Sequence, residues 1–209
     1  MVTRGQFLER PTLIQVGPDV LEGLSHRGVC APALLVLPPD PALGGDMQHV
    51  VAAEFAWAAT QAGHATLRFN HRGVGASQGE RGEASARVED ARAALGLLLE
   101  NCGAATAVVA ALPGAAPVAF SLAASAPQVR ALVLVSPSAL EARALDALGL
   151  PVRVIVGAVE AWRPSDAVSA ALTRHGGAVE VIEHADQRFL RSLPQVGRAV
   201  TALMADVQA

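Results

Sequence analysis

The stretch VVAALPGAAPVAF, residues 108–120, predicts a buried strand, a tight turn and a buried helix in immediate succession. Its first part is a short, continuous apolar run, which is typical of a strand covered on both faces. Pro113 and Gly114 follow this run and mark the turn. A strand that leads through a turn into a helix is the repeating unit of a parallel sheet with helices packed on it.

The same pattern of short apolar runs and helix-length segments extends along the chain in both directions. The predicted strands are 12–17, 21–25, 32–39, 65–70, 106–112, 131–137, 152–157 and 179–184. The predicted helices are 49–62, 86–101, 116–125 and 190–207, with a further short helix between 137 and 152. We therefore expect a single α/β domain over residues 1–209, with a doubly wound, mostly parallel sheet and helices on both faces. The first two strands are expected to extend the sheet antiparallel at one edge.

The composition fits a folded domain and argues against several classes of function. Of the 209 residues, 52% are hydrophobic and 17% are charged, which is enough to bury a sizeable core. The net charge is −3 without a basic block, so nucleic-acid binding is not expected. Cys30 and Cys102 have no metal or redox spacing, and no two histidines have the i, i+4 spacing of metal ligands. The sequence therefore predicts no metal and no other cofactor.

Two features bear on where the protein is found. The N-terminus carries charged residues and lacks the apolar segment of a signal peptide, so a cytoplasmic protein is expected. Residues 102–129 contain no charge and are long enough to cross a bilayer. Pro113, Gly114 and Pro117 lie within this segment and would break a spanning helix. We therefore interpret it as a buried strand followed by a buried helix, and expect no membrane association.

Two loops that follow predicted strands carry specific motifs. RFNHRGVGASQG (residues 68–79) closely resembles the segment RFNFRGVGxSxG of small bacterial α/β-hydrolases. PPDPALGGDM (residues 38–47) resembles that family's HPHPxxGGxM, with Pro38 and Asp40 in place of the two histidines. The order of strands and helices also matches this family along essentially the whole chain. The resemblance implies an α/β-hydrolase fold. The segment between Pro137 and Val152 is short, and in this respect the chain resembles the members of the family that have no lid domain.

The resemblance also implies a Ser–His–Asp triad, and this chain departs from it at each position. Pro113 stands where the nucleophilic Ser is expected, and Glu160 stands where the family has Asp. In the segment HADQRF, Gln187 replaces the catalytic His. Proline fixes φ near −65°, so it cannot adopt the positive φ of the nucleophile, and Gly114 is expected to take any left-handed angle in its place. Glutamine cannot act as a general base.

These departures leave two functional hypotheses. The first is a pseudohydrolase, which binds a small molecule in the remnant pocket or a protein partner on the exposed face. The alternative is a divergent carboxylesterase-type hydrolase that uses relocated groups, such as His184 or His71 with a bound water. Ser136 and Ser138 also flank Pro137 on a loop at this end of the sheet, without a histidine nearby in sequence. The ligand, the partner and the oligomeric state, a homodimer included, are not specified by the sequence.

The candidate ligand-binding residues lie on the loops beyond the carboxyl ends of the predicted strands, where open α/β sheets bind ligands. They are Leu43, Gly44, Gly45, His71, Gly114, Trp162 and His184. The segment 43–45 corresponds to the oxyanion loop of the family and is expected to offer backbone N–H groups to an anion or carbonyl. Trp162 follows Glu160 directly in a chain that has few aromatic residues. His71 occupies a position where the family has an aromatic residue.

Overall fold

A single sheet of eight strands organises the computed structural model of the chain, which describes residues 9–208. The strands are β1 (Arg10–Val16), β2 (Asp19–His26), β3 (Cys30–Leu37), β4 (His64–Phe69), β5 (Ala107–Ala111), β6 (Val129–Val135), β7 (Val152–Gly157) and β8 (Ala178–Ile182). They lie in the order β1-β2-β4-β3-β5-β6-β7-β8. Strands β3 to β8 are parallel to one another, and β2 is antiparallel to both β1 and β4. The predicted antiparallel extension at one edge is thereby confirmed.

Helices cover both faces of the sheet, which confirms the doubly wound architecture. They are α1 (Val50–Gln61), α2 (Ala84–Cys102), α3 (Ala116–Ser125), α4 (Ala142–Leu148), α5 (Asp166–Arg174) and α6 (Leu193–Asp206), with a short 3₁₀ helix at Pro41–Leu43. Helices α1 and α6 pack together on one face, and α2 to α5 lie on the other. Because successive strand side chains point to opposite faces, Leu34 and Val36 of β3 pack under α1 and α6, whereas Leu35 and Leu37 pack under α2 and α3.

The observed helices differ from the predicted ones in two places. Helix α5 was not expected, although its nine residues are amphipathic and bury Val168, Ala171 and Leu172 on one side. Its first turn is also capped by Ser165 Oγ, which accepts a hydrogen bond from Val168 N–H at 3.3 Å. Helix α6 begins at Leu193, three residues later than predicted.

The connection between β6 and β7 holds only the seven-residue helix α4. Within the described residues, this connection is too short to contain a lid domain, as expected from the sequence. Within residues 9–208, no helix combines the length and the apolar character needed to cross a membrane.

Buried polar side chains of the segment 68–79 fasten the loop after β4 to neighbouring elements. Asn70 Oδ1 accepts a hydrogen bond from Met47 N–H at 2.6 Å, and Asn70 Nδ2 donates to Glu22 Oε1 at 2.7 Å. Ser77 Oγ donates to the carbonyl of Asn70 at 2.9 Å. A buried polar group without a partner costs about 1–3 kcal/mol, so this network holds the loop in one conformation. These contacts give the motif a structural role in fastening the loop.

A buried carboxylate ties the same loop to helix α2. Asp90 is 1% exposed and accepts hydrogen bonds from Arg72 Nε at 2.6 Å and Arg72 N–H at 3.1 Å. His71 Nδ1 lies 3.2 Å from the carboxylate, and the His71 ring packs edge-on against Phe69. Burial alone would raise the pKa of Asp90, but the hydrogen bonds from His71 and Arg72 outweigh it and hold this pKa below its usual value. The ionised carboxylate is therefore a fixed structural group.

We predict that Asp90→Asn lowers the free energy of unfolding at neutral pH by about 3 kcal/mol, because it leaves the half-buried Arg72 and the buried His71 without their shared partner. The folded-state pKa of Asp90 lies below the ordinary value. Its contribution is thus fully present above an unfolded-state pKa of about 3.9 and disappears as the pH falls through the folded-state pKa. Urea unfolding of wild type and variant should accordingly differ at neutral pH and converge in strong acid.

Glu89→Gln is the matched control, since Glu89 also accepts a hydrogen bond from Arg72 but its side chain is 67% exposed. An exposed ion pair contributes about 0–1 kcal/mol, so this variant should unfold almost as the wild type does. Equal destabilisation by the two variants, or a difference for Asp90→Asn that does not depend on pH, would show that Asp90 does not have this role.

Candidate functional site

The turn between β5 and α3 occupies the centre of the candidate site. Ala115 N–H donates to the carbonyl of Leu112 at 2.9 Å, and Gly114 has a φ of +84°. Proline at the second position and a left-handed glycine at the third are the features of a type II β-turn. The prediction that Gly114 takes the left-handed angle is thereby confirmed. Pro113, which stands where the resemblance implies the nucleophile, is held at a negative φ by its ring.

The turn is packed against the segment that precedes α1. Pro113 O accepts a hydrogen bond from Asp40 N–H at 3.0 Å. A Cβ atom added to Gly114 would lie 2.6 Å from Asp40 Cβ. Gly114 is thus required twice, because its backbone angle excludes other residues and because Asp40 leaves no room for a side chain.

The loop 43–45 does not present its backbone donors in the manner expected from the sequence. Leu43 N–H and Gly45 N–H both donate to the carbonyl of Asp40, at 2.9 and 3.2 Å, and Gly44 N–H donates to Pro41 O at 3.0 Å. All three N–H groups are therefore consumed within a 3₁₀ turn that begins at Asp40. The physical reason is local: the Asp40 side chain also caps this turn by accepting from Ala42 N–H at 2.9 Å. The expectation that these N–H groups face a ligand is wrong for this conformation.

The loop after β7 presents the carboxylate at the acid position. Glu160 Oε1 accepts a hydrogen bond from Gly157 N–H at 2.6 Å and another from Ser136 Oγ at 2.8 Å. Ser136 directly follows β6 and has a φ of +43°, which is unusual for a residue other than glycine. The two residues meet because β6 and β7 are adjacent and parallel, so their carboxyl ends lie side by side. The Ser136–Glu160 pair was not foreseen from the sequence, in which the two residues are 24 positions apart.

The loop after β8 presents Gln187 and is locked to the loop after β7. Val159 N–H donates to Ala185 O at 3.1 Å, and Ala158 N–H donates to Ile182 O at 3.0 Å. Phe189, at a φ of +53°, inserts a fully buried ring into the core beneath α6. This anchor fixes the short exposed segment that carries Gln187.

These loops enclose one open cleft of about 580 Å³. The three positions at which the triad was expected all line it: Pro113, Glu160 and Gln187. The other lining residues are Leu43, Gly114, Ser136, Pro137, Ser138, Val159, Ala161, Trp162, Asp186 and Arg188. The structure thus brings together the three positions at which the resemblance implies a triad, although none of the six histidines is among the residues that line the cleft.

The remaining candidate residues are placed in different surroundings. His71 is buried against Asp90, with only 2% of its surface exposed, and it lines a separate, smaller cavity. His184 is exposed, has a φ of +57°, and borders a neighbouring surface depression formed with Phe189 and Arg191. Neither histidine lines the cleft that holds Pro113 and Glu160. The groups proposed for relocated catalysis by histidine are therefore not assembled in this structure.

Trp162 has both a structural and a cleft-facing role. It is half-buried and packs against the core beneath α2 to α5, and it also lines the cleft. Its neighbour Arg163 donates hydrogen bonds to the carbonyls of Ala158 and Glu160, at 2.8 and 2.7 Å, which closes the loop on itself. Within residues 9–208 there is also no cluster of three metal-ligating side chains.

We predict that Gly114→Ala lowers the free energy of unfolding by more than about 1–2 kcal/mol, the cost of a left-handed conformation for an L-residue, because the new Cβ also meets Asp40. Gly96→Ala is the matched control, since Gly96 is exposed within α2 with open space around its Cα. That change should stabilise the chain by about 0.5–1 kcal/mol. Thermal or urea unfolding of the two variants measures both effects, and a neutral Gly114→Ala would show that the turn is not constrained as described.

Comparison with known proteins places this geometry in a family. The sequence model of the family described as serine aminopeptidase, S33, matches residues 44–208. None of the curated proteins matches the chain. Among solved structures, a protein of unknown function from Agrobacterium tumefaciens is 19% identical, with a TM-score of 0.79 over 94% of this chain and 95% of its own.

Two further structures are described as serine hydrolases or their homologues. An alpha-beta serine hydrolase homologue from Coxiella burnetii is 26% identical, with a TM-score of 0.77 over 93% of this chain and 97% of its own. A serine hydrolase without lid from Xanthomonas campestris is 18% identical, with a TM-score of 0.74 over 95% of this chain and 96% of its own. The fold is thus the α/β-hydrolase fold without a lid. By the match over residues 44–208, the chain belongs to the serine aminopeptidase S33 family of α/β-hydrolases.

Proposed function

We propose that this chain is a pseudohydrolase: a family member that does not perform the serine-hydrolase reaction and acts by binding a ligand in the cleft above Pro113. The single observation that supports it most directly is the type II turn at Leu112–Ala115. The positive φ that belongs to the nucleophile in this fold is found at Gly114, which has no side chain to react.

The loss of the nucleophile extends to the groups that would assist it. A general base must lie within hydrogen-bond reach of the proton it removes. Gln187 lines the cleft at the base position, and an amide neither accepts nor returns that proton at neutral pH. The N–H groups of the loop 43–45 are bonded internally, so an oxyanion formed above Pro113 would lack the stabilisation that they supply in an active site. Nucleophile, base and oxyanion donors are altered together.

A divergent hydrolase is the second candidate, and one observation favours it. Ser136 Oγ lies 2.8 Å from Glu160 Oε1 inside the cleft, within the distance expected of a nucleophile and its base. The same carboxylate oxygen accepts Gly157 N–H at 2.6 Å, however, and the pair thereby joins the ends of β6 and β7. These contacts are sufficient to explain the pair as a structural link, which is why we place this candidate second.

The cleft favours a small, largely uncharged ligand. Its lining combines apolar side chains, Leu43, Val159 and Trp162, with three charged groups: the carboxylates of Glu160 and Asp186 and the guanidinium of Arg188. Pockets that hold small molecules usually pair such apolar walls with a few polar groups that fix orientation. Short acyl esters are therefore suitable probes, because they fit both candidate functions and separate binding from turnover.

We predict that p-nitrophenyl butyrate binds without being hydrolysed. Binding should quench the fluorescence of Trp162, measured in a Trp57→Phe background so that Trp162 is the single tryptophan of the chain. Release of p-nitrophenol should not exceed the rate with Ser136→Ala, because no residue of the cleft acts as a nucleophile in this account. Ser138→Ala is the matched control, since Ser138 lines the same cleft and its hydroxyl makes no hydrogen bond to any of residues 9–208.

The outcomes are distinct. Turnover in the wild type that disappears in Ser136→Ala and persists in Ser138→Ala would establish the divergent hydrolase instead. Absence of quenching would contradict binding in the cleft, whatever the result for turnover.

A further inference from the structure

A cavity of about 230 Å³ lies at the end of the sheet opposite to the cleft. It is enclosed by the strands β1, β2 and β4 and by the last turns of helix α2. A helix that connects two parallel strands runs antiparallel to them, so the last residues of α2 lie at the amino ends of these strands. We call this space the amino-end cavity. None of its lining residues also lines the cleft.

The floor of the amino-end cavity is apolar. Ala65 and Leu67 of β4 and Leu98 of α2 line it, and each is at most 3% exposed. The half-buried Cys102 also lines it, and its thiol donates a weak hydrogen bond to the carbonyl of Leu99 at 3.8 Å. Leu98 and Cys102 are four residues apart, so the helix contributes a side face to the cavity rather than its negatively polarised end.

The charged groups of the lining are positive and are not neutralised. Arg10 and Arg27 line the cavity, both are exposed, and neither guanidinium makes an ion pair or a hydrogen bond to any of residues 9–208. No carboxylate is among the described residues of the lining. Glu9 lies 4.0 Å from His26 Nε2, a residue of the lining, but its carboxylate is bound to Arg68 at 2.5 Å. The cavity therefore has two positive charges available to a ligand.

The strand register places uncharged polar groups beside these charges. Arg10 is paired with Ser25 in the β1–β2 ladder, and Thr12 is two residues further along β1, so the three side chains share one face of the sheet. Thr12 Oγ1 and Ser25 Oγ lie 2.6 Å apart. The exposed amide of Asn101 faces them from α2, and Arg27 directly follows β2. The polar groups thus surround an apolar floor, which is the usual composition of a small-molecule site.

We propose that the amino-end cavity binds a monocyclic aromatic carboxylate, with its ring against Leu67 and Leu98 and its carboxylate beside Arg10 and Arg27. An apolar cavity of about 150 Å³ is large enough to hold benzene, so this larger one suits a ring with one small substituent. Guanidinium groups donate charge-assisted hydrogen bonds in a geometry that matches a carboxylate. This inference does not rest on the loss of hydrolysis, and it concerns a site other than the cleft.

The test is an NMR titration of the full chain with sodium benzoate at constant ionic strength, with benzamide as an uncharged probe of the same size. Benzoate should shift the amide resonances of residues 10–12, 25–27 and 98–102 saturably and leave those of the cleft loop 158–162 unchanged. Benzamide should reach half-saturation only at a concentration about tenfold higher, because it lacks the charge that pairs with the arginines.

Arg10→Gln and Arg27→Gln should each raise the half-saturating concentration of benzoate about fivefold, the effect of losing one ion pair at a partly exposed position. Both side chains are exposed and bind no other described group, so the two variants are expected to fold as the wild type does. Arg130→Gln is the matched control, since it changes an exposed arginine at the start of β6 that does not line the cavity. This variant should bind benzoate as the wild type does.

The thiol of Cys102 provides a second readout. Bound benzoate should slow the alkylation of Cys102 by iodoacetamide, whereas Cys30, which is half-buried outside the cavity, should react at an unchanged rate. Peptide mass spectrometry measures both rates. The proposal is overturned if benzoate shifts none of these resonances saturably, if benzamide binds as tightly as benzoate, or if Arg10→Gln and Arg27→Gln bind as the wild type does. None of these results would bear on turnover in the cleft.

Discussion

The fixed backbone angle of Pro113 is the constraint on which the geometry of the site depends. Proline at the end of β5 cannot take a positive φ, so the left-handed conformation needed to turn the chain into α3 falls on Gly114. The resulting turn directs the Pro113 carbonyl to Asp40 N–H. Asp40 in turn organises the 3₁₀ turn that consumes the N–H groups of Leu43, Gly44 and Gly45. The conformation of the turn at Pro113 and the internal bonding of the loop 43–45 are therefore linked through one hydrogen bond.

The polar contacts that stabilise the loop after β4 do not involve the turn at Pro113. Asn70 and Ser77 fasten the loop after β4. Asp90, a buried residue of helix α2, binds Arg72 and His71 of the same loop. These groups hold the antiparallel edge of the sheet and the start of α2, whereas the turn belongs to the central strand β5. A change at the turn therefore leaves this polar network intact.

The sequence predicted the architecture well because continuous apolar strands and intervening helices leave few alternatives. It also predicted the angle of Gly114, since proline chemistry alone excludes the other arrangement. It did not predict the Ser136–Glu160 pair, which depends on the adjacency of β6 and β7, nor the internal bonding of residues 43–45, which depends on Asp40 as a cap. The histidines show the same limit. His71 and His184 lie on loops at the expected end of the sheet, but each lines a cavity other than the cleft, and their positions in the sequence do not predict this.

The most direct test of the proposed loss of serine chemistry is mass spectrometry of the purified chain after exposure to a fluorophosphonate, which bonds covalently to activated serines. The account predicts an unchanged intact mass under conditions in which an active serine hydrolase is fully labelled, because the cleft presents Pro113 at the nucleophile position. A stoichiometric adduct mapped to Ser136, or to any other serine of the cleft, would contradict the account and identify a working nucleophile.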